Sequence, residues 1–190
     1  MIILASSSPR RRQLLEMLGI PHRVEAPAID ERQRPGEDPV ATAVRLAREK
    51  ARAVAVRHPG TWTLGADTVV VLDQEVLGKP ESPADAERIL ARLAGREHQV
   101  VTAVVLARDG RVLERYDLTR VWFRPVSAAQ IRDYVATGEP LDKAGAYGVQ
   151  GYGALLVERI EGDFFGVMGL PVRLVADLMA EAGLPYRFTR

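Results

Sequence analysis

The sequence predicts an α/β fold, a mixed sheet with helices packed on its faces, and three observations carry that prediction. Apolar β-branched runs alternate along the chain with amphipathic stretches that open on a capping residue followed by proline. Two long β-branched runs flank an Asp109-Gly110 pair, a strong hairpin signal that puts an antiparallel element in the middle of the chain. Hydrophobic residues make up 47% and charged residues 27% of 190 positions, enough apolar side chain for a sizeable core in one domain spanning residues 1–190.

Each element follows from local chemistry. Residues 1–5 form a short apolar run and read as a buried strand. Ser8 with Pro9 fits an N-cap and first helical position, opening a helix that stops at Gly19. The same device at Asp38-Pro39 and Ser82-Pro83 opens helices at 39–57 and 83–94, with Gly95 ending the latter. Residues 62–72 are apolar and β-branched, interrupted by Gly65 and Asp67, and read as one bent strand or two abutting ones. Strands at 100–106 and 112–123 form the hairpin. Ser127 with Gln130 makes a capping box for a helix to Ala136. Residues 139–153 are rich in glycine and lack a regular period, so they read as a loop. A strand at 154–160 and a helix at 171–182, stopped by Gly183, complete the chain.

Charge and composition exclude several functions. Twenty-six basic against 25 acidic residues leave +1, too balanced for a protein that coats nucleic acid or an anionic membrane. Apolar stretches such as Val69-Val70-Val71-Leu72 fall far short of the ~18–20 residues that span a bilayer, and the N-terminus lacks a basic region and a long apolar one. A soluble cytoplasmic protein is expected. With no cysteine there is no disulfide, no Cys-zinc site and no thiol nucleophile. His22, His58 and His98 are scattered, with no metal-spaced pair and no spacing from which to argue a Ser-His-Asp triad.

Lysine usage is more informative than total charge. Only Lys50, Lys79 and Lys143 are lysine and the other 23 basic residues are arginine, a bias that GC-rich coding explains. A site that needs a compact ammonium cannot exchange it freely for a planar guanidinium, so the three survivors stand out. Lys50 falls about 80° from the centre of the apolar stripe Val40, Ala43, Val44, Ala47, Ala51 and Val54, and so borders the buried face. A snorkelling lysine would look the same. Lys79 sits in the rigid turn Gly78-Lys79-Pro80, which fails as a P-loop because Asp73 stands where the first glycine is needed and Pro80 where Ser or Thr is needed. An exposed turn lysine is its plain alternative. Lys143 lies in a long glycine-rich loop with Tyr147 and Gln150, where charge, stacking and an amide could meet a ligand. Gly151 and Gly153 do not complete a dinucleotide fingerprint, since Leu156 replaces the third glycine.

Two further features complete the candidate site. Ser6-Ser7-Ser8-Pro9-Arg10-Arg11-Arg12 brings hydroxyls and guanidiniums to a strand-to-helix turn, where a helix N-terminus favours an anion; a plain capped helix with a basic first turn fits as well. Asp67 inside an apolar β-run is the leading carboxylate, because burying it ionised requires a cation, a metal or hydrogen-bond donors. The alternative is a bend at which Asp67 caps a turn. Several cations, one isolated carboxylate, a helix N-terminus and a polar loop together describe a site for a polyphosphate attacked by water.

In order along the chain, Ser6-Ser7-Ser8-Pro9-Arg10-Arg11, Ala47-Arg48-Glu49-Lys50-Ala51, Gly65-Ala66-Asp67-Thr68-Val69-Val70, Gly78-Lys79-Pro80, Val101-Thr102-Ala103-Val104 and Asp142-Lys143-Ala144-Gly145-Ala146-Tyr147-Gly148 resemble the Maf family of nucleoside triphosphate pyrophosphatases. The likeness runs nearly end to end, to Gly169-Leu170-Pro171, although Phe165-Gly166-Val167-Met168 departs from the Asn-Val-Val pattern expected before that glycine. It implies an elongated mixed sheet with helices on its faces and two lobes around a central cleft, as in inosine triphosphate pyrophosphatases. It also implies a cytoplasmic homodimer and a divalent cation, Mg²⁺ or Mn²⁺.

The implied reaction is hydrolysis of the α–β phosphoanhydride, giving nucleoside monophosphate and pyrophosphate. Thr68 after the acid, with Arg10 and Gln150, resembles the branch acting on dTTP and UTP, and modified pyrimidine nucleotides fall in the same class. By the resemblance Asp67 accepts the proton of the attacking water, and Arg10, Arg11, Lys50 and Lys79 hold the triphosphate. Glu31 and Asp67 hold the metal, and Ser6, Thr68, Lys143 and Gln150 orient the substrate. Maf proteins are also associated with arrest of septum formation, so a nucleotide-binding regulator of division that needs no catalysis is the alternative function. No nucleic-acid or membrane partner is expected.

Overall fold

The structure, a computed structural model, describes residues 1–188, so the last two positions of the expected 1–190 domain lie outside the described residues. The elements are β1 (Ile2–Ala5), α1 (Pro9–Met17), β2 (His22–Val24), α2 (Pro39–Ala55), β3 (Thr63–Leu72), β4 (Glu75–Leu77), α3 (Pro83–Leu93), β5 (Glu97–Arg108), β6 (Arg111–Phe123), α4 (Ala128–Ala136), β7 (Val157–Glu161), α5 (Phe164–Met168) and α6 (Val172–Glu181). The strands form one seven-stranded sheet in the order β2-β1-β3-β5-β6-β7, with β4 paired to β3. Because β1 runs parallel to β2 and β3 while β4 and β7 are antiparallel to their neighbours, the sheet is mixed, as the sequence predicts.

Local chemistry accounts for the turns. Asp109 and Gly110 both have positive φ, 48° and 83°, the requirement of the tight hairpin turn between β5 and β6. Asp38 accepts from Val40 N and Ala41 N at the start of α2, Ser82 accepts from Asp85 N at the start of α3, and the Ser127–Gln130 capping box opens α4. Ser8 does occupy the N-cap of α1, but its side chain makes no capping bond. The Ser6 hydroxyl instead accepts from Ser8 N at 3.1 Å.

Residues 62–72 resolve into a single strand, β3, buried at nine of its ten positions, as expected of a central strand covered on both faces. The three-residue strands β2 and β4 and the five-residue helix α5 are too short to leave a periodic signal. The long loop is not irregular: it holds three short 3₁₀ turns at Glu139–Asp142, Ala144–Ala146 and Gly151–Leu156. The last of these takes up residues 154–156, so β7 begins at Val157 rather than Ala154.

The chain divides into two compact units, one of Met1–Asp67, Thr102–Asp117 and Gly169–Arg190, the other of Thr68–Val101 and Leu118–Met168. In the first, Leu4, Ala5, Ala47, Ala51, Val54 and Leu64 are fully buried. In the second, the core gathers α3 and α4 around Phe123, whose ring meets His98 and Tyr147 edge-on at 5.0 and 4.7 Å.

Candidate active site

In the first unit the site begins with a glycine. A Cβ at Gly65 would lie 2.3 Å from the carbonyl oxygen of Ala47 and 2.7 Å from the amide nitrogen of Ala51, so only glycine lets β3 press directly against the α2 backbone. Ala47 and Ala51, both fully buried, keep the helix side equally thin. Lys50 lies between them in sequence and Asp67 two residues after Gly65, so this close packing sets the two side chains side by side.

The Lys50 ammonium donates to Asp67 Oδ1 at 2.7 Å and to Glu31 Oε2 at 2.7 Å. Lys50 is 5% and Asp67 6% exposed, whereas the Glu31 carboxylate, supplied by the segment between β2 and α2, stands half in solvent. Lys50 is therefore a buried ion-pair partner and not a snorkelling lysine, and Asp67 sits within a strand and not at a bend. Removing one member of such a buried pair strands the other charge, at roughly 3–5 kcal/mol.

Arg11, on the first turn of α1, closes the cluster. Its Nε donates to the carbonyl of Gly169 at 2.8 Å and its Nη1 to Ser6 Oγ at 3.3 Å, and the side chain is buried. Burial lowers the affinity of its guanidinium for the proton, while Asp67 and Glu31 oppose that change and Arg10 reinforces it. Arg10 itself is half-buried. Burial also dominates at Asp67, pushing its carboxyl above the ordinary carboxylate range; Lys50 and Arg11 pull it back and Glu31 adds to the rise. The result is an acid that takes up a proton more readily than a surface aspartate.

The second unit carries the remaining expected residues. Thr68 follows Asp67 in β3 and is half-buried. Lys79 is exposed on the turn after β4, and this turn is tied to the glycine-rich loop by Gly145 N donating to the carbonyl of Gly78 at 3.0 Å. Gln150 is exposed on the same loop. Lys143 is oriented inward instead: its ammonium donates to the Glu139 main-chain carbonyl and to Asp142 Oδ1. The sequence did not mark the Gly169 carbonyl as a partner for Arg11, a pairing separated by 158 residues. Nor did it mark Glu139 and Tyr134, which organise the loop; the only hint was the density of glycines facing them.

Glu31 and Asp67 carry the hard oxygen donors that a divalent cation takes, and both converge on the Lys50 ammonium. Among the described residues no group of three or more His, Cys, Asp or Glu could hold a metal ion, so water and phosphate oxygens would complete such a shell. No helix among the described residues is long and apolar enough to cross a membrane.

Comparison with known proteins agrees with the motifs. The profile of the family described as Maf-like protein matches residues 1–182. A protein of Symbiobacterium thermophilum named dTTP/UTP pyrophosphatase is 51% identical over 184 residues, covering 97% of this chain and 95% of that one. One of the same name from Moorella thermoacetica is 51% identical over 185 residues, covering 96% and 95%. Among solved structures, the Ham1 protein of Staphylococcus aureus is similar at a TM-score of 0.46 and 17% identity, over 64% of this chain and 71% of that one. That likeness carries no weight beside the sheet order itself.

Proposed function

The chain belongs to the Maf family, and from that premise we propose that it is a nucleoside triphosphate pyrophosphatase that cleaves dTTP and UTP to the monophosphate and pyrophosphate. The observation that carries the proposal is the buried Asp67–Lys50 pair, extended by Glu31 and Arg11: one carboxylate with raised proton affinity among fixed cations. The names borne by relatives about half identical over nearly the whole chain support the substrate class.

In the reaction a water attacks the phosphoanhydride, the water's proton passes to an Asp67 carboxylate oxygen, and the bond to the pyrophosphate leaving group breaks. A general base works best when its pKa approaches the working pH, so the burial that raises Asp67 suits it to this step. Lys50 holds that carboxylate in place at 2.7 Å. Arg10, Arg11, Lys50 and Lys79 bind phosphate oxygens and stabilise the charge that develops on the leaving pyrophosphate, where fixed cations contribute most. Ser6, locked to Arg11, and Thr68, next to the acid, orient the phosphates, and Gln150 meets the nucleotide from the loop. Lys143 acts behind that loop through its bonds to Glu139 and Asp142. Glu31 and Asp67 are the residues that would hold Mg²⁺ or Mn²⁺, which when bound supplies Lewis-acid charge neutralisation and lowers the pKa of water. We assign the protein to the cytoplasm, where nucleoside triphosphates are made and used, as a homodimer whose mass light scattering would report.

The test is a panel of purified nucleoside triphosphates, with Mg²⁺ or Mn²⁺ and with a chelator, assayed for pyrophosphate. Pyrophosphate from dTTP and UTP that requires the metal is the expected result. Tight binding of those nucleotides with no turnover would instead fit the regulator of septum formation, and release of orthophosphate alone would overturn the cleavage site.

A further inference from the structure

The loop of the second unit is held by a carboxylate that the reaction does not use. Glu139 Oε1 accepts from the Tyr134 hydroxyl at 2.9 Å and from Gly153 N at 3.0 Å, while Oε2 accepts from Tyr152 N at 2.9 Å. The Tyr134 hydroxyl oxygen in turn accepts from Gly148 N at 3.2 Å. One buried tyrosine and one glutamate thus hold three main-chain amides on either side of Gln150. Burial keeps the Tyr134 hydroxyl protonated, well above its ordinary range, so it remains a donor to Glu139.

The glycines of the loop answer to this brace. A Cβ at Gly151 would fall 2.5 Å from Glu139 Oε2, and one at Gly153 would fall 2.2 Å from the Gly148 carbonyl and 2.7 Å from the Tyr134 hydroxyl. The Lys143 stem passes under Gly148, where a Cβ would lie 2.9 Å from its Cε, and its ammonium holds the Glu139 main chain from the other side. Gln150 stands at the centre of the held stretch with its side chain exposed. Its amide has one donor and one acceptor end, and such a group reads a partner only when the backbone beneath it is fixed.

We propose that Glu139, seated by Tyr134, is a positioning residue that fixes residues 147–153 so that the exposed Gln150 amide meets the nucleotide. The inference rests on the pyrophosphatase reading for its ligand but on its own geometry for the brace. It assigns the inward lysine, Lys143, to the same device, in place of a direct contact with substrate.

Glu139→Gln keeps the size of the side chain but replaces one acceptor oxygen with a donor, and Tyr134→Phe removes the hydroxyl alone, a milder change if the first variant folds poorly. The expected result is a KM for UTP raised about tenfold with kcat within about twofold, the scale of one lost hydrogen bond to a charged group. Amide exchange at Gly148, Tyr152 and Gly153 should accelerate in the same variants. In a Gln150→Ala background, Glu139→Gln should add no further loss, because both act through one side chain. A fall in kcat with KM unchanged, losses that multiply in the double variant, or unchanged exchange at the three amides would each overturn the proposal. Should the wild type bind UTP without hydrolysing it, the pyrophosphatase reading fails while the same series, read as Kd for UTP, still decides the brace. A wild type that binds no pyrimidine nucleotide overturns the role given to Gln150.

Discussion

Gly65→Ala adds one carbon where strand β3 lies against the backbone of helix α2. The new methyl would sit 2.3 Å from the Ala47 carbonyl oxygen and 2.7 Å from the Ala51 amide nitrogen, whereas ordinary contact begins at 3.4 Å. Strand β3 and helix α2 must therefore part by about 1 Å, since both obstructing atoms are backbone and no side chain can swing away. Overpacking of this kind destabilises by about 1–3 kcal/mol, and two backbones in conflict place the change at the upper end. Lys50 is carried by α2 and Asp67 by β3, so parting the two elements disturbs their 2.7 Å contact as well. Misplacement of a reacting group by about 1 Å lowers turnover by about 10²-fold. The assay is a urea titration for stability beside kcat for UTP on the folded fraction. A variant within about 0.5 kcal/mol of the wild type and with unchanged kcat would refute the claim that this approach sets the geometry of the site.

Other predictions concern charge. Asp67 must be ionised to accept a proton, so the acid limb of the kcat/KM profile should fall above the ordinary carboxylate value of ~4; a limb at or below that value would contradict the raised affinity. The same shift makes its contribution to stability complete below the unfolded value and lost as pH rises through the folded one, so replacing Asp67 by Asn should flatten stability against pH between those two values. Lys79→Arg keeps the charge but spreads it over a planar fork, and should lower kcat/KM for UTP by about tenfold if a compact ammonium is needed; full activity would remove the point-charge argument.

Much of the fold was legible because its signals are local. Proline after a capping residue placed the starts of α2 and α3, Asp109-Gly110 placed the hairpin, and β-branched runs placed the central strands. The course of residues 139–156 was not legible, because the 3₁₀ turns there answer to Glu139 and Tyr134 and not to any period. For the site, an aspartate in an apolar strand and a lysine at the rim of an apolar stripe were enough to single out both members of the buried pair. Their contact at 2.7 Å was not, since it depends on a clearance between strand and helix that is set by tertiary packing and leaves no local signal. Lys143 shows the opposite limit: residue type and a glycine-rich setting suggested a ligand contact, whereas its ammonium is held by Glu139 and Asp142.

The most direct measurement compares pyrophosphate release from UTP by the wild type and by Asp67→Asn, with UTP affinity determined by calorimetry on the same two proteins. A buried carboxylate acting as the proton acceptor requires turnover to fall by about 10²-fold or more while UTP still binds, since Arg10, Arg11, Lys50 and Lys79 are all retained and Lys50, losing its partner Asp67, keeps its charge for the phosphates. Turnover in the asparagine variant equal to that of the wild type would contradict it.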